Sequence, residues 1–428
     1  MRTMLRWPGL AGWLCMLLLA VACLSRPTAA GRALQQEQPA PGSVEFDGRR
    51  AFAHVQALAQ TIGPRVSGTP GEAQAVDYIA GQLKAFGYDV EVMHVAVAGT
   101  PFRTATVSLG GGGVDITGLA LAGSAAGRAT GEAVYVGLGD AAGIGEQDLR
   151  GKVAVAGRGV LRFGEKLQNV RDRGAVALVI VNNVPGLLRG ALGVEAEIPV
   201  VGIAQEDGER ILAAVQQHEA LTVDVPDVGR IQAMNVIGRA APGGHCDVIA
   251  GGHHDTVPGT PGANDNASGT ATVLELARAF AADGLDPGLC FVTFGAEESG
   301  LHGSQALAAR LASEGALPRL MVNLDVTGIG ASVHVIGSPE VVQRALELAR
   351  QLGIPAEREG MPANAGSDHV SFARVGVPVI FLTSGDFTGI HSPADVVERV
   401  DPDELDRVGN LAYAVIKTYL QPGGTGQR

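Results

Sequence analysis

Several segments of this chain place acid and imidazole side chains directly after apolar, strand-like runs, an arrangement suited to holding cations. In IAGGHHDTVPGTPGANDNAS, His253 and Asp255 stand two residues apart. Side chains at i and i+2 leave a strand on the same face, so Asp255 is placed to accept a hydrogen bond from one imidazole nitrogen while the other nitrogen binds a metal. His254 points the opposite way and reads as structural. Asp265 follows in GANDNASG, just before a helix that starts near Ser268. A carboxylate in such a Gly-flanked loop can turn its two oxygens toward two ions; a helix-capping Asx turn is the plainer reading. Asn266-Ala267-Ser268 also matches a glycosylation pattern, but a sugar there would block such a site.

FVTFGAEESGLHGS sets Glu297 and Glu298 side by side at the end of an apolar run. Adjacent carboxylates in low-dielectric surroundings repel unless a cation joins them. Their roles can divide, one holding the ion and the other taking a proton from an attacking water. LMVNLDVTG ends a further apolar run with Asp325, and FTGIHSPAD puts His391 in a loop after VPVIFL. In open α/β sheets, sites form at the carboxyl ends of strands. Five residues from four separate segments (His253, Glu297, Glu298, Asp325 and His391) share that placement. Nitrogen and oxygen ligands without thiolate suit zinc or a similar divalent ion.

The elements that must position these residues follow from periodicity. From Asn235 onward, apolar runs such as CDVIAGG, LCFVTFG and LMVNLD alternate with helical stretches, which implies an α/β fold with a mainly parallel sheet covered by helices on both faces. One helix carries a stripe of Val273, Leu276, Ala277 and Phe280, another of Val408, Leu411, Ala412 and Val415. Within residues 70–86, Val76, Ile79, Ala80 and Leu83 mark a third, ended by Gly87 and followed by the alternating strand YDVEVMHVAV. Between 133 and 203 the runs AVYVG, KVAVAG, AVALVIV and IPVVGI are short and separated by Gly or Pro, as in a compact β-rich module with helices near 164–173 and 206–217.

With the motifs GGHHD, GANDNASG, AEESG, NLD, GSDHVSF and IHSPAD in this order across residues 235–420, the chain resembles the twenty-eighth family of metallopeptidases, the leucyl-type aminopeptidases with co-catalytic zinc. The resemblance implies the zinc-exopeptidase (phosphorylase/hydrolase-like) fold and two Zn ions. His253 and Asp325 would hold one, Glu298 and His391 the other, and Asp265 would bridge them, with Glu297 as general base and Asp255 behind His253. It also implies that residues 119–232 form an inserted protease-associated domain, between peptidase segments 44–118 and 233–421. Peptide or protein N-termini are the implied substrates. Alternatives on the same scaffold are a carboxypeptidase or dipeptidase, a one-zinc glutaminyl cyclase, and a non-catalytic receptor-like ectodomain. The family's better-known members direct a Tyr at the developing oxyanion, whereas this chain has no Tyr between Tyr135 and Tyr413. Ser367-Asp368-His369 either shapes the substrate site or starts a helix. A G-x-S-x-G nucleophile elbow is absent from the sequence.

At 428 residues the chain calls for more than one domain. The net charge of -12 repels phosphate backbones, and aromatics at 4% give little for base stacking, so nucleic acid is excluded as a partner. Arg2 and Arg6 precede an uncharged stretch from Trp7 to Ser25 and small residues at 28–30. This is the order of a secretory signal over residues 1–30, with residues 31–43 as a linker and a secreted or periplasmic destination. Cleavage would leave no membrane span. An uncleaved anchor and a lipid at Cys23 are the competing readings. The two remaining cysteines, Cys246 and Cys290, each stand seven residues ahead of a metal motif; they either meet as a disulfide or remain separate buried thiols.

Overall fold

The computed structural model describes residues 46–97, 103–110, 114–227, 229, 231–361 and 366–421. The expected signal segment, linker and Cys23 lie outside the described residues.

Four buried strands form the centre of an eight-stranded sheet. They are Leu289–Phe294, Val248–His253, Leu320–Leu324 and Val379–Gly385, side by side in that order and parallel. Their near-continuous apolar sequences are what two covered faces demand. Antiparallel pairings flank them: Gln232–Arg239 and then Asp89–Ala96 on one side, Gly330–Gly337 on the other; at the far edge Ala356–Arg358 pairs parallel with Gly330–Gly337. The mainly parallel sheet expected from the alternating pattern is therefore present, with antiparallel outer strands.

Helices cover both faces. Gly48–Val55, Pro70–Ala85, Gly269–Ala282, Pro339–Leu352 and Pro402–Leu420 pack into one core. His302–Glu314 and His369–Ala373 close the other, against Phe294 and Met321. Pro70–Ala85 shows how sequence dictates this. Pro70 opens it at a position where a missing N–H costs nothing, and Val76, Ile79, Ala80 and Leu83 form its buried stripe. Cys246 and Cys290 lie in the second core as a disulfide with Cα atoms 5.4 Å apart, which settles the alternative left open by sequence.

Seven strands between Thr104 and Val225 close into a barrel, in the order Thr104–Leu109, Val114–Ala120, Val200–Ile203, Ala177–Val181, Val153–Gly157, Gly127–Tyr135 and Ala220–Val225. Helices Phe163–Arg171 and Gly208–Gln216 stand close to their expected positions. The 118/119 boundary falls inside the strand Val114–Ala120. Thr104–Leu109, assigned by sequence to the peptidase segment, is barrel because it pairs with Ala220–Val225, a partner no local pattern reveals. Among the described residues, no helix is long and apolar enough to cross a membrane.

Candidate metal centre

The parallel register brings the acid and imidazole residues together. His253 ends its strand opposite Phe294, and Gly251 pairs with Asn323, so His253 and Asp325 stand level at one edge of the sheet. His253 Nε2 lies 3.2 Å from Asp265 Oδ1, 3.4 Å from Asp325 Oδ1 and 3.9 Å from Glu297 Oε2. On the other side of Asp265, Oδ2 is 2.7 Å from His391 Nε2, which in turn is 3.3 Å from Glu298 Oε2. Two clusters result, His253–Glu297–Asp325 and Asp265–Glu298–His391, each with potential ligand atoms within 4.8 Å of one another. They line one cleft of about 780 Å³.

The loops that carry these side chains are built for close approach. A Cβ on Gly252 would sit 2.3 Å from the Leu324 carbonyl oxygen, and one on Gly269 only 2.1 Å from it. Glycine at both positions lets the Asp265 loop lie across the strand ends. Asn266, fully buried, then fastens that loop: its Nδ2 donates to the Leu324 carbonyl at 3.0 Å and its Oδ1 accepts from Gly269 N at 2.8 Å. Its amide is thus enclosed within the protein. Five non-glycine residues adopt left-handed backbone among those described, and three of them are Ala296 (φ 56), Val326 (φ 53) and His391 (φ 58). Such conformations cost on the order of 1 kcal/mol each and persist where surrounding contacts impose them.

Several of these side chains have orienting partners. Asp255 lies 3.4 Å from His253 Nδ1, which also faces the Asp255 carbonyl at 3.2 Å. The Asp255 carboxylate further accepts from Glu297 N at 3.1 Å, Glu298 N at 3.3 Å and Ser67 Oγ at 3.1 Å. One buried acid therefore supports the histidine and the glutamate pair together, a wider role than sequence assigned. Ser367 Oγ donates to Asp325 Oδ2 at 2.7 Å, so Ser367 orients a candidate ligand. His254 turns away, its Nδ1 facing Thr293 Oγ1 at 3.1 Å.

Sequence reasoning missed three supports. Asp395, in the IHSPAD segment but given no role, accepts from Asn264 N at 2.7 Å and Asp265 N at 3.0 Å. Ser67 accepts from Ala296 N at 3.1 Å. Arg65, fully buried, donates to the carbonyls of His254, Pro261 and Gly262 at 2.7 to 2.8 Å and so shapes the loop between His253 and Asp265. Its only sequence signal is a cation inside the turn-like segment GPRVSG.

The local field favours positive charge. Burial works against protonation of His391, yet Glu298 and Asp265 hold it up at about 10. His253 is likewise raised, against burial, by Asp325 and Glu297. Burial, together with Glu298, Asp368 and Asp325, pushes Glu297 well above the usual carboxylate range, against the pull of His253. Glu298 Oε1 and Asp325 Oδ1 are buried without a hydrogen-bond partner. Buried carboxylate oxygens without donors are costly, and these two belong to candidate ligands. Oxygen and imidazole donors at these distances fit divalent zinc.

Comparison with known proteins agrees. The model of peptidase family M28 matches residues 235–416, and that of the PA domain matches 126–211. Aminopeptidase YwaD of Bacillus subtilis is 32% identical over 398 residues, covering 87% of this chain and 84% of the relative. Leucine aminopeptidase 2 of Arthroderma otae is 30% identical, with 84% and 75% covered. The structure of BSAP, a zinc aminopeptidase from Bacillus subtilis, superposes with a TM-score of 0.74 at 30% identity, covering 88% of this chain and 95% of that one.

Proposed function

The chain belongs to peptidase family M28, and on that premise we propose that it is an exported dizinc aminopeptidase that releases N-terminal residues from peptides. The observation that carries this reading is the position of Asp265, with one oxygen toward His253 and the other toward His391. A carboxylate so placed would serve both ions. His253 and Asp325 would hold one zinc, Glu298 and His391 the second. Bound there, the pair supplies Lewis-acid polarisation and acidifies water.

Glu297 does the proton work. It lies 3.9 Å from His253 Nε2 at the floor of the cleft, and its amide is fixed by Asp255. As general base it removes a proton from water as the oxygen attacks the peptide carbonyl. It then returns that proton to the leaving amine, so the C–N bond breaks with charge balanced. Asp255 keeps His253 oriented, and Ser367 does the same for Asp325. The relatives are aminopeptidases, which favours the amino end as the one held. The Cys246–Cys290 disulfide supports an oxidising compartment, in keeping with export.

The test compares leucine p-nitroanilide with an N-blocked dipeptide, using wild type and Glu297→Gln. Wild type should cleave the first and spare the second. The variant should keep its zinc and lose turnover by roughly a thousandfold. Cleavage of the blocked dipeptide alone would reassign the enzyme as a carboxypeptidase or dipeptidase, and retained turnover in the variant would remove Glu297 from its role.

A further inference from the structure

Among the described residues, the inserted barrel contributes Arg189 to the lining of the metal cleft, from the connection between Ala177–Val181 and Val200–Ile203. That segment is pinned on its barrel side. Leu188 is fully buried, the Gly190 carbonyl accepts from Ala122 N at 2.9 Å, and Asn182 Nδ2 donates to the Gly186 carbonyl at 2.9 Å. On its other side it lies against the peptidase loops. A Cβ on Gly186 would stand 3.7 Å from Ser392 Cβ, beside His391, and one on Gly259 would stand 3.4 Å from Leu187 Cδ1. Between Leu188 and Gly190, both held, Arg189 extends into the cleft. Its Nη2 lies 3.0 Å from Glu298 Oε2 and 3.5 Å from the Glu298 carbonyl.

Negative charge develops on the carbonyl oxygen during peptide hydrolysis, and donors fixed in advance stabilise it most. None of the tyrosines lines the cleft. Tyr78 and Tyr88 pack among the helices, Tyr135 is exposed on the barrel, and Tyr413 and Tyr419 belong to Pro402–Leu420. Two arginines do line it, Arg189 and Arg374. Arg374 is exposed just beyond the short helix His369–Ala373, whereas the Arg189 side chain is 24% exposed and reaches a candidate ligand. A guanidinium is always charged and offers several N–H donors in a rigid planar array, so it can donate to a developing oxyanion while another N–H stays on Glu298.

We infer that Arg189 is a catalytic residue supplied by the inserted barrel, its guanidinium donating to the carbonyl oxygen of the scissile bond. The inference rests on the peptidase reading above. It makes the barrel a component of the active site as well as its neighbour.

The test uses the full chain loaded with zinc, as wild type, Arg189→Met and Arg189→Lys. Measured together are kcat and KM on leucine p-nitroanilide, zinc per chain, and affinity for a leucine-derived phosphonate, whose tetrahedral anion mimics the transition state. For Arg189→Met, kcat should fall roughly a hundredfold with KM little changed. Phosphonate affinity should drop by a similar factor, and zinc content should be unchanged. Arg189→Lys should recover part of the loss, because charge returns without the planar array. Unimpaired kcat in an active background would overturn the inference alone, as would a loss that tracks missing zinc and is reversed by adding it. A zinc-loaded wild type that cleaves no peptide substrate would overturn the peptidase reading and the inference with it.

Discussion

Replacing Asp255 by Asn keeps the shape of the side chain while turning one acceptor into a donor. Asp255 is 1% exposed, so no water relieves the mismatch. If the new NH2 takes the place of Oδ1, it meets the Glu297 N–H and the Nδ1 edge of His253; if it takes the place of Oδ2, it meets the Glu298 N–H and the Ser67 hydroxyl. Either orientation removes at least one hydrogen bond to a carboxylate and weakens the rest by removing the charge. Hydrogen bonds to charged groups contribute roughly 1.5 to 3 kcal/mol, so about 3 kcal/mol of support for Glu297 and His253 disappears. At about 1.4 kcal/mol per tenfold, kcat/KM should fall roughly a hundredfold. Steady-state hydrolysis of leucine p-nitroanilide in excess zinc measures it. Ser67→Ala removes a single bond to the same carboxylate and should lose only about tenfold, equivalent to about 1.5 kcal/mol. An Asp255→Asn enzyme with wild-type kcat/KM would refute the argument that this acid positions both the base and the histidine.

Further expectations concern stability. His54 lies 2.7 Å from the Tyr78 hydroxyl, and burial, with Arg278 adding to it, pulls its pKa from 6.5 down to about 4. Because the folded value is the lower one, the contribution is complete above pH 6.5. It is lost as pH falls toward 4, by at most about 3 kcal/mol. Denaturant midpoints between pH 7 and 4.5 should flatten in His54→Gln relative to wild type. The Cys246–Cys290 disulfide closes a separation of 44 residues, and its removal in the paired serine variant should destabilise the fold by about 2 to 4 kcal/mol in the same titration. Zinc-loaded kcat should be unchanged there, since Cys290 sits near the start of the strand Leu289–Phe294 and the ligands cluster past the strand ends.

The candidate ligands were legible because each follows a buried strand or its loop, and parallel strands must bring such ends together. The residues that orient them were not legible, for a physical reason. Ser67 reaches Asp255 across 188 positions, and Asp395 reaches Asp265 across 130. Neither uses periodicity or turn chemistry, the two signals a single sequence offers. Asp395 could have been suspected from its place four residues after His391 in IHSPAD. Arg189 was invisible for a different reason: it belongs to another domain, and only the packing of the barrel brings it to Glu298. Barrel closure was hidden likewise, since Thr104–Leu109 finds its partner at Ala220–Val225. Within the sheet, alternating strand and helix announced the parallel centre but left the antiparallel outer strands unspecified.

The central claim is that a carboxylate shared between two imidazoles organises a pair of ions. Counting zinc per chain by mass spectrometry after dialysis tests it most directly, in wild type and in His391→Ala. Two zinc ions in wild type and one in the variant are the predicted result. A wild type that retains one or none, or a variant that still holds both, would contradict it.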